Sequence, residues 1–358
     1  MKVLFLGERD DGLSVSSQHA LALASSGVGV GFADGSSAEV VKPDVVHLVH
    51  CPDGGGDMVR AVARHRLGGV PVVRCWTGRD VIWTRYHAPS ADAARTLVRL
   101  GVRQFCRTPA QVEVLRGLEV PAEVGPIVSP NLTSASEPEP LPATFTVLVH
   151  LPVGRRSFHG GALIDALIGR FPAFRFLVLG DEVTDYSSRK NVEVLGRLDD
   201  VGRAIRRTTV TVSARLDGSL SRLGLESLSH GRHVLSTCPW PNFLHVRSEA
   251  EFAKALTMMR LNPSFNLEGR EAVCREYDLR VGVRALTQLL QTCIDENRGV
   301  GSLGQRWLGA ASTWCISGLL GEKRVPRPDP NTLPSEAEAF RALLEDGLGE
   351  PVGAEVGE

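Results

Sequence analysis

Short apolar runs punctuate the chain. Each gives way to a polar, glycine-bearing loop and then to a stretch whose apolar positions repeat at helical spacing. The first run, Lys2-Val-Leu-Phe-Leu-Gly7, is followed by a polar loop over 8–17 and a helix over about 18–25. Strands at 28–32, 44–50, 70–75 and 102–106 continue the alternation, with helices near 58–66, 91–100 and 109–118. Runs that are apolar throughout, rather than at every second residue, belong to strands covered on both faces. The pattern therefore predicts a parallel sheet flanked by helices.

The alternation stops at Ser129-Pro-Asn-Leu-Thr-Ser-Ala-Ser-Glu-Pro-Glu-Pro-Leu-Pro142, which has no apolar periodicity and reads as an extended linker. A second series starts at Thr146-Val-Leu-Val-His150 and runs through Phe174-Arg-Phe-Leu-Val-Leu-Gly-Asp181 and Asn191-Val-Glu-Val-Leu-Gly-Arg197, with helices near 248–259 and 280–294. The predicted organisation is α/β. One Rossmann-like domain covers 1–130, a linker 131–143, and a second Rossmann-like domain 144–262. C-terminal helices over 263–322 are expected to cross back to the first domain, followed by a Pro-rich linker, short helix and acidic tail over 323–358. Trp307, Ala311, Trp314 and Cys315 share one helical face, and Arg306 is the single basic residue of 304–320. That favours packing across the domain interface over adsorption to a membrane.

Composition removes several classes. Lys and Arg number 40 against 41 Asp and Glu, a net charge of −1. No bulk field favours an anionic membrane, and nucleic acid as a partner is neither supported nor excluded. The seven cysteines are scattered and include no C-x-x-C pair, which argues against a disulfide framework and a zinc site. A cytoplasmic location is expected, since neither a signal peptide nor an apolar stretch of the ~20 residues needed to span a bilayer stands out. The first strand-to-helix turn, Gly7-Glu-Arg-Asp-Asp-Gly12, lacks the G-x-G-x-x-G of a dinucleotide site, which counts against a dehydrogenase.

Most of the chemistry lies in Thr209-Val-Thr-Val-Ser-Ala-Arg-Leu-Asp-Gly-Ser-Leu-Ser-Arg-Leu-Gly-Leu-Glu-Ser-Leu-Ser-His-Gly-Arg-His-Val-Leu-Ser-Thr237. This run predicts a strand, a turn at Asp217, Gly218, Ser219 and Ser221, a helix over 219–229, and a further strand after Gly231. The backbone N–H groups at the start of that helix favour phosphate. Glu226, one turn on, can accept hydrogen bonds from sugar hydroxyls. Together they point to a nucleotide.

The run resembles the nucleotide-sugar-binding signature of family 4 glycosyltransferases, in which an acidic residue, a glycine-containing loop and a second Glu precede Ala-x-x-x-Gly and a short strand. Asp217 to Glu226 matches with one extra residue, D-x8-E for E-x7-E, and Ser227 stands where Ala is usual. The resemblance implies two Rossmann domains facing each other (the GT-B fold) with a C-terminal helical extension. It also implies transfer of a sugar from a nucleotide donor to a hydroxyl-bearing acceptor, with retention of anomeric configuration. The donor, a UDP- or GDP-sugar, is a co-substrate, and no cofactor is expected.

The family usually places an Arg and then Lys-Gly after the first strand of the second domain, both directed at the donor diphosphate. The corresponding segment here is Gly154-Arg155-Arg156-Ser157-Phe158-His159-Gly160, with His159 at the Lys position. Arg155, Arg156 and His159 are thus expected to stabilise the leaving diphosphate, with Asp217 contacting the sugar. Because those cations supply the positive charge, and neither Asp10-Asp11 nor Asp199-Asp200 forms a convincing divalent-cation site, no metal is expected. Donor binding is expected of Gly12, Gly154, Gly180, Gly196, Arg197, Leu198, Gly218, Ser219, Leu220, Ser221 and Glu226. Trp76-Thr-Gly-Arg-Asp80 resembles the family's Gly-x-Asp segment after the fourth strand. Together with His50 at another strand end, Trp76, Gly78, Arg79 and Asp80 are the expected acceptor side. Three rivals are a noncatalytic nucleotide-sugar-binding partner protein, a GT-B epimerase or phosphorylase, and a transferase acting on a modified nucleic-acid base.

Overall fold

The computed structural model describes residues 1–6, 15–33, 42–49, 56–129, 132, 137–152, 156–180, 186, 188–215 and 218–299. The first series folds as β1 (Lys2–Leu6), α1 (Val15–Ser25), β2 (Gly29–Ala33), β3 (Val45–Val49), α2 (Gly56–Leu67), β4 (Val72–Cys75), α3 (Arg79–Tyr86), α4 (Ala88–Arg99), β5 (Arg103–Cys106), α5 (Pro109–Gly117) and β6 (Glu123–Val124). The strands form a six-stranded sheet in the order β2-β1-β3-β4-β5-β6, parallel throughout. Successive side chains of a strand serve opposite faces, and both faces here are dry. Val3 and Phe5 of β1 pack with Ala20 and Leu23 of α1, while Leu4 and Leu6 pack with Val59 and Val62 of α2.

The second series gives β7 (Thr146–His150), a 3-10 turn at Ser157–His159, α6 (Gly161–Arg170), β8 (Arg175–Leu179), β9 (Val192–Gly196), α7 (Val201–Arg206), β10 (Val210–Ser213), α8 (Arg222–Ser229), β11 (His233–Ser236), β12 (Leu244–His245) and α9 (Glu249–Leu261). Its sheet, β12-β11-β10-β7-β8-β9, has the strand order of a dinucleotide-type Rossmann domain, with the reversal between β7 and β10. Val147, Val149, Val178 and Val212 face Ile164 and Leu167 of α6 and Phe252 of α9. Leu148, Leu177 and Leu179 face Ala204 and Ile205 of α7.

The chain then returns to the first domain. α10 (Leu267–Glu276) packs Val273 beside Leu225 and Leu228 of α8. α11 (Leu279–Gly299) lays Val283, Leu286, Leu290, Cys293 and Ile294 on the first sheet. Its end is fastened there by Asn297, whose Oδ1 accepts from Arg66 at 2.9 Å and whose Nδ2 donates to the Gly69 carbonyl at 2.8 Å. The linker is held too. The buried Arg232 guanidinium donates to the carbonyls of Glu139 at 3.0 Å and Arg206 at 3.1 Å.

Four helices, α3, α6, α7 and α10, have no bounds in the sequence pattern, because each is only six to ten residues long and a run that short shows little periodicity. The helix expected over 219–229 starts later, at Arg222, with Ser221 as its N-cap. The helix expected over 304–320 and the short helix expected within 323–358 lie outside the described residues. No described helix is long and apolar enough to cross a membrane, and the five described cysteines are free thiols.

Candidate active site

Ligands of open parallel sheets gather beyond the carboxyl ends of the strands, where the strand order reverses and neighbouring loops leave in opposite directions. In the second sheet that place lies between β7 and β10. On the β7 side, His150 ends the strand exposed to solvent. The chain comes back through the Ser157–His159 turn to Gly160, whose φ of 71° lies in the left-handed region. Only glycine fits, since a Cβ there would sit 2.4 Å from the Ala214 carbonyl oxygen. This close approach presses the start of α6 against the end of β10 and brings the His159 ring edge-on to His150, with centroids 4.8 Å apart.

On the β10 side, Ala214 and Arg215 lead towards Gly218, which is also left-handed at φ 57°. Ser219, Leu220 and the cap residue Ser221 follow, the Ser221 hydroxyl accepting from the Gly224 N–H at 3.1 Å. The Arg215 carbonyl is fixed by the Thr237 hydroxyl at 2.5 Å. Leu220 turns its side chain into the cluster of Ile127, Leu225, Leu228 and Phe243, so it can offer a donor only its backbone. Glu226 is 3% exposed, with Oε1 3.3 Å from Arg222 Nε. Gly180 follows β8 and Gly196 ends β9, and the Gly180 N–H donates to the Gly196 carbonyl at 3.1 Å. A Cβ on Gly180 would lie 2.3 Å from the Leu151 carbonyl oxygen. Arg197 is exposed, and Leu198 packs against the Leu148 and Leu177 cluster.

Arg156 departs from its expected role. Its Nη2 donates to Asp165 Oδ1 at 2.6 Å and Oδ2 at 2.5 Å and to Tyr186 Oη at 2.9 Å, and Tyr186 in turn donates to Asp165 Oδ1 at 2.5 Å. Burial, then the Asp165 carboxylate, push the Tyr186 phenol well above its ordinary range, so it stays a donor. The Arg156 charge is thereby balanced inside the second domain, and a diphosphate would have to compete with a carboxylate for it.

The first domain brings a second correction. Trp76 is 0% exposed, its Nε1–H donating to Gln104 Oε1 at 3.0 Å and its ring lying 3.3 Å from the Arg74 guanidinium carbon. It has no open face for an acceptor. Asp80 is equally buried, and its Oδ1 accepts from the N–H groups of Thr77 and Gly78, each at 2.9 Å, and of Val81 at 3.1 Å. It organises the turn into α3, in which Gly78 adopts φ 124°. Arg79 opens that helix. Gly12, His50, Gly154, Arg155, Asp217 and the Arg79 side chain lie outside the described residues.

The two domains meet at this edge. Thr108, just past β5, donates its hydroxyl to the Gly218 carbonyl at 2.9 Å, so the carboxyl ends of the two sheets face each other. His150 and Thr108 were not singled out from the sequence. The strand-end rule could have found His150, the last residue of β7; nothing local marks Thr108, whose partner is 110 residues away. Among the described residues no three His, Cys, Asp or Glu side chains gather as metal ligands do.

Two parallel Rossmann-like sheets with carboxyl edges opposed, joined by a linker and a helix that crosses back, define a two-domain α/β protein of the GT-B fold. No protein-family model and no curated protein matches the sequence. Among solved structures the chain is similar to sucrose-phosphate synthase from Thermosynechococcus elongatus, with a TM-score of 0.65 and 12% identity over 82% of this chain and 99% of that one. It is similar to Anabaena HepE solved with UDP and glucose, with a TM-score of 0.59 and 11% identity over 82% of this chain and 100% of that one. A variant of S. aureus TarM in complex with UDP gives 0.51 and 11%, over 69% of this chain and 56% of that one. At these identities the likeness establishes the shared fold.

Proposed function

We propose that the chain is a glycosyltransferase that moves a sugar from a UDP- or GDP-sugar to a hydroxyl-bearing acceptor, with retention and without a metal. The carrying observation is the strand-order reversal between β7 and β10 of the second sheet. There His159, on a turn that only glycine can close, lies on one side of the Gly160–Ala214 contact and the loop into the capped start of α8 on the other. Anabaena HepE, of the same fold, has been solved with UDP-glucose, which supports a nucleotide sugar as the ligand.

In this reading the diphosphate lies over the Gly218–Ser221 backbone at the positive end of α8, and His159 and Arg155 supply the cations that stabilise it as it leaves. Arg156, already paired with Asp165, holds the turn rather than the donor. Asp217 contacts the sugar, Glu226 the ribose, and Gly180, Gly196 and Arg197 border the base. The acceptor enters from the first domain near His50, Gly78 and Arg79.

A thermal-shift screen with UDP-, GDP-, ADP- and dTDP-sugars tests the reading, since a ligand at a hundred times its Kd adds ~2.7 kcal/mol of stability. One donor should raise the Tm and release its nucleotide, and His159→Ala should slow that release about a hundredfold. If none of the four shifts the Tm, the reading fails. The engagement of Arg156 favours one alternative, a noncatalytic donor-binding protein, which binding without any nucleotide release would establish.

A further inference from the structure

We infer that Thr108 is a positioning residue for donor binding: a side chain of the first domain that sets the loop through which the second domain grips the nucleotide sugar. The inference rests on the proposed donor site but starts from geometry independent of it. Thr108 sits between β5 and α5 and is 0% exposed. Its Oγ1 has two roles. It caps α5, accepting from the Gln111 N–H at 3.3 Å, and it donates its own proton across the domain boundary to the Gly218 carbonyl at 2.9 Å. The same carbonyl lies 3.1 Å from the Cys238 thiol, in the loop that follows β11. Three segments distant in sequence therefore converge on one peptide group. The fit is close on the carbon side as well, a Cβ on Gly218 falling 3.5 Å from the Ala110 methyl.

The consequence follows from peptide planarity. In a trans peptide the N–H points opposite to the C=O, so fixing the Gly218 carbonyl towards Thr108 and Cys238 directs the Ser219 N–H away from them. Gly218, left-handed at φ 57°, has no side chain to hold that orientation by itself, and its backbone samples more conformations than any other residue type. The donor site's backbone is thus ordered by the opposing domain. Donor affinity and domain contact are coupled through one hydroxyl.

Thr108→Val removes the O–H and keeps the shape, while Thr108→Ser keeps both hydrogen bonds. In the ligand-free full chain, hydrogen exchange should quicken over 218–224 in Thr108→Val, about three- to tenfold as expected for loss of one hydrogen bond, and return to the wild-type rate in Thr108→Ser. Loss of the cap alone would quicken exchange only over 109–117, and that result overturns the inference. For the donor identified by the Tm screen, Thr108→Val should weaken affinity by a similar factor and Thr108→Ser should restore it. Faster exchange over 218–224 with unchanged donor affinity would also overturn the positioning role. If no nucleotide sugar binds the wild-type chain, the donor-site reading falls and this role with it, while the exchange result still reports the domain contact.

Discussion

The first domain buries a pair of histidines, and acid should find it. His47 stands in the middle of β3 at 2% exposure and His19 on α1 at 3%. His19 Nδ1 and His47 Nε2 are 3.1 Å apart with the rings nearly parallel, and Phe5 lies against His47 with centroids 5.0 Å apart. A neutral pair satisfies one N–H···N bond, whereas a charge at this position would be stripped of water. Burial accordingly pushes His47 from 6.5 down to about 4, and burial, His47 and the nearby Arg107 hold His19 well below its ordinary value. Near pH 7.5 neither the folded nor the unfolded chain is protonated here, and the pair carries no penalty. Below pH 6.5 the unfolded chain takes up a proton that folded His47 refuses until about pH 4, so stability falls as pH falls through that window. His47 alone accounts for about 2 kcal/mol at pH 5 and about 3 kcal/mol at pH 4, and His19 acts in the same direction. Urea denaturation at pH 7.5 and 5.0 and constant ionic strength measures the loss. Burial also lowers His65, His230, His233 and His245, so the informative comparison is with the double variant His19→Leu/His47→Leu. Replacing both partners leaves no orphaned donor and should cost little at pH 7.5. The double variant should lose at least about 2 kcal/mol less than the wild type between the two pH values. Equal losses would refute the reasoning.

Trp76→Phe should destabilise by about 1–3 kcal/mol, because Gln104 Oε1 loses its buried partner, and should leave the acceptor KM unchanged. A raised KM at unchanged stability would return Trp76 to the acceptor side. Gly160→Ala forces both a left-handed alanine and a contact with the Ala214 carbonyl oxygen that backbone cannot yield, so a loss of more than about 2 kcal/mol and of donor binding is expected. Gly196→Ala, at φ 64° with no atom within 4 Å of a Cβ, should cost only about 1 kcal/mol, from conformation alone. Comparable Tm values for the two glycine variants would show the close approach at Gly160 to be absent.

Periodicity alone carries the two series of strands and helices, the break near 129–142 and the parallel character of both sheets, because burial on two faces demands uninterrupted apolar runs and linkers cannot sustain them. It is also enough for a helix ending at 229, whose serine cap and leucines are local signals, though that helix starts at Arg222; Asp217 lies outside the described residues. What periodicity could not decide is where a charge or ring ends up. Arg156 meets Asp165 and Tyr186, and Trp76 meets Arg74 and Gln104. The second arrangement makes core of a side chain that, read along the chain, looked like an acceptor platform. The strand orders, the crossing of α11 and the Thr108–Gly218 bond join residues far apart in sequence. Such partners are chosen by the packing of whole elements, through a free energy no local stretch contains, and so only the folded molecule decides them.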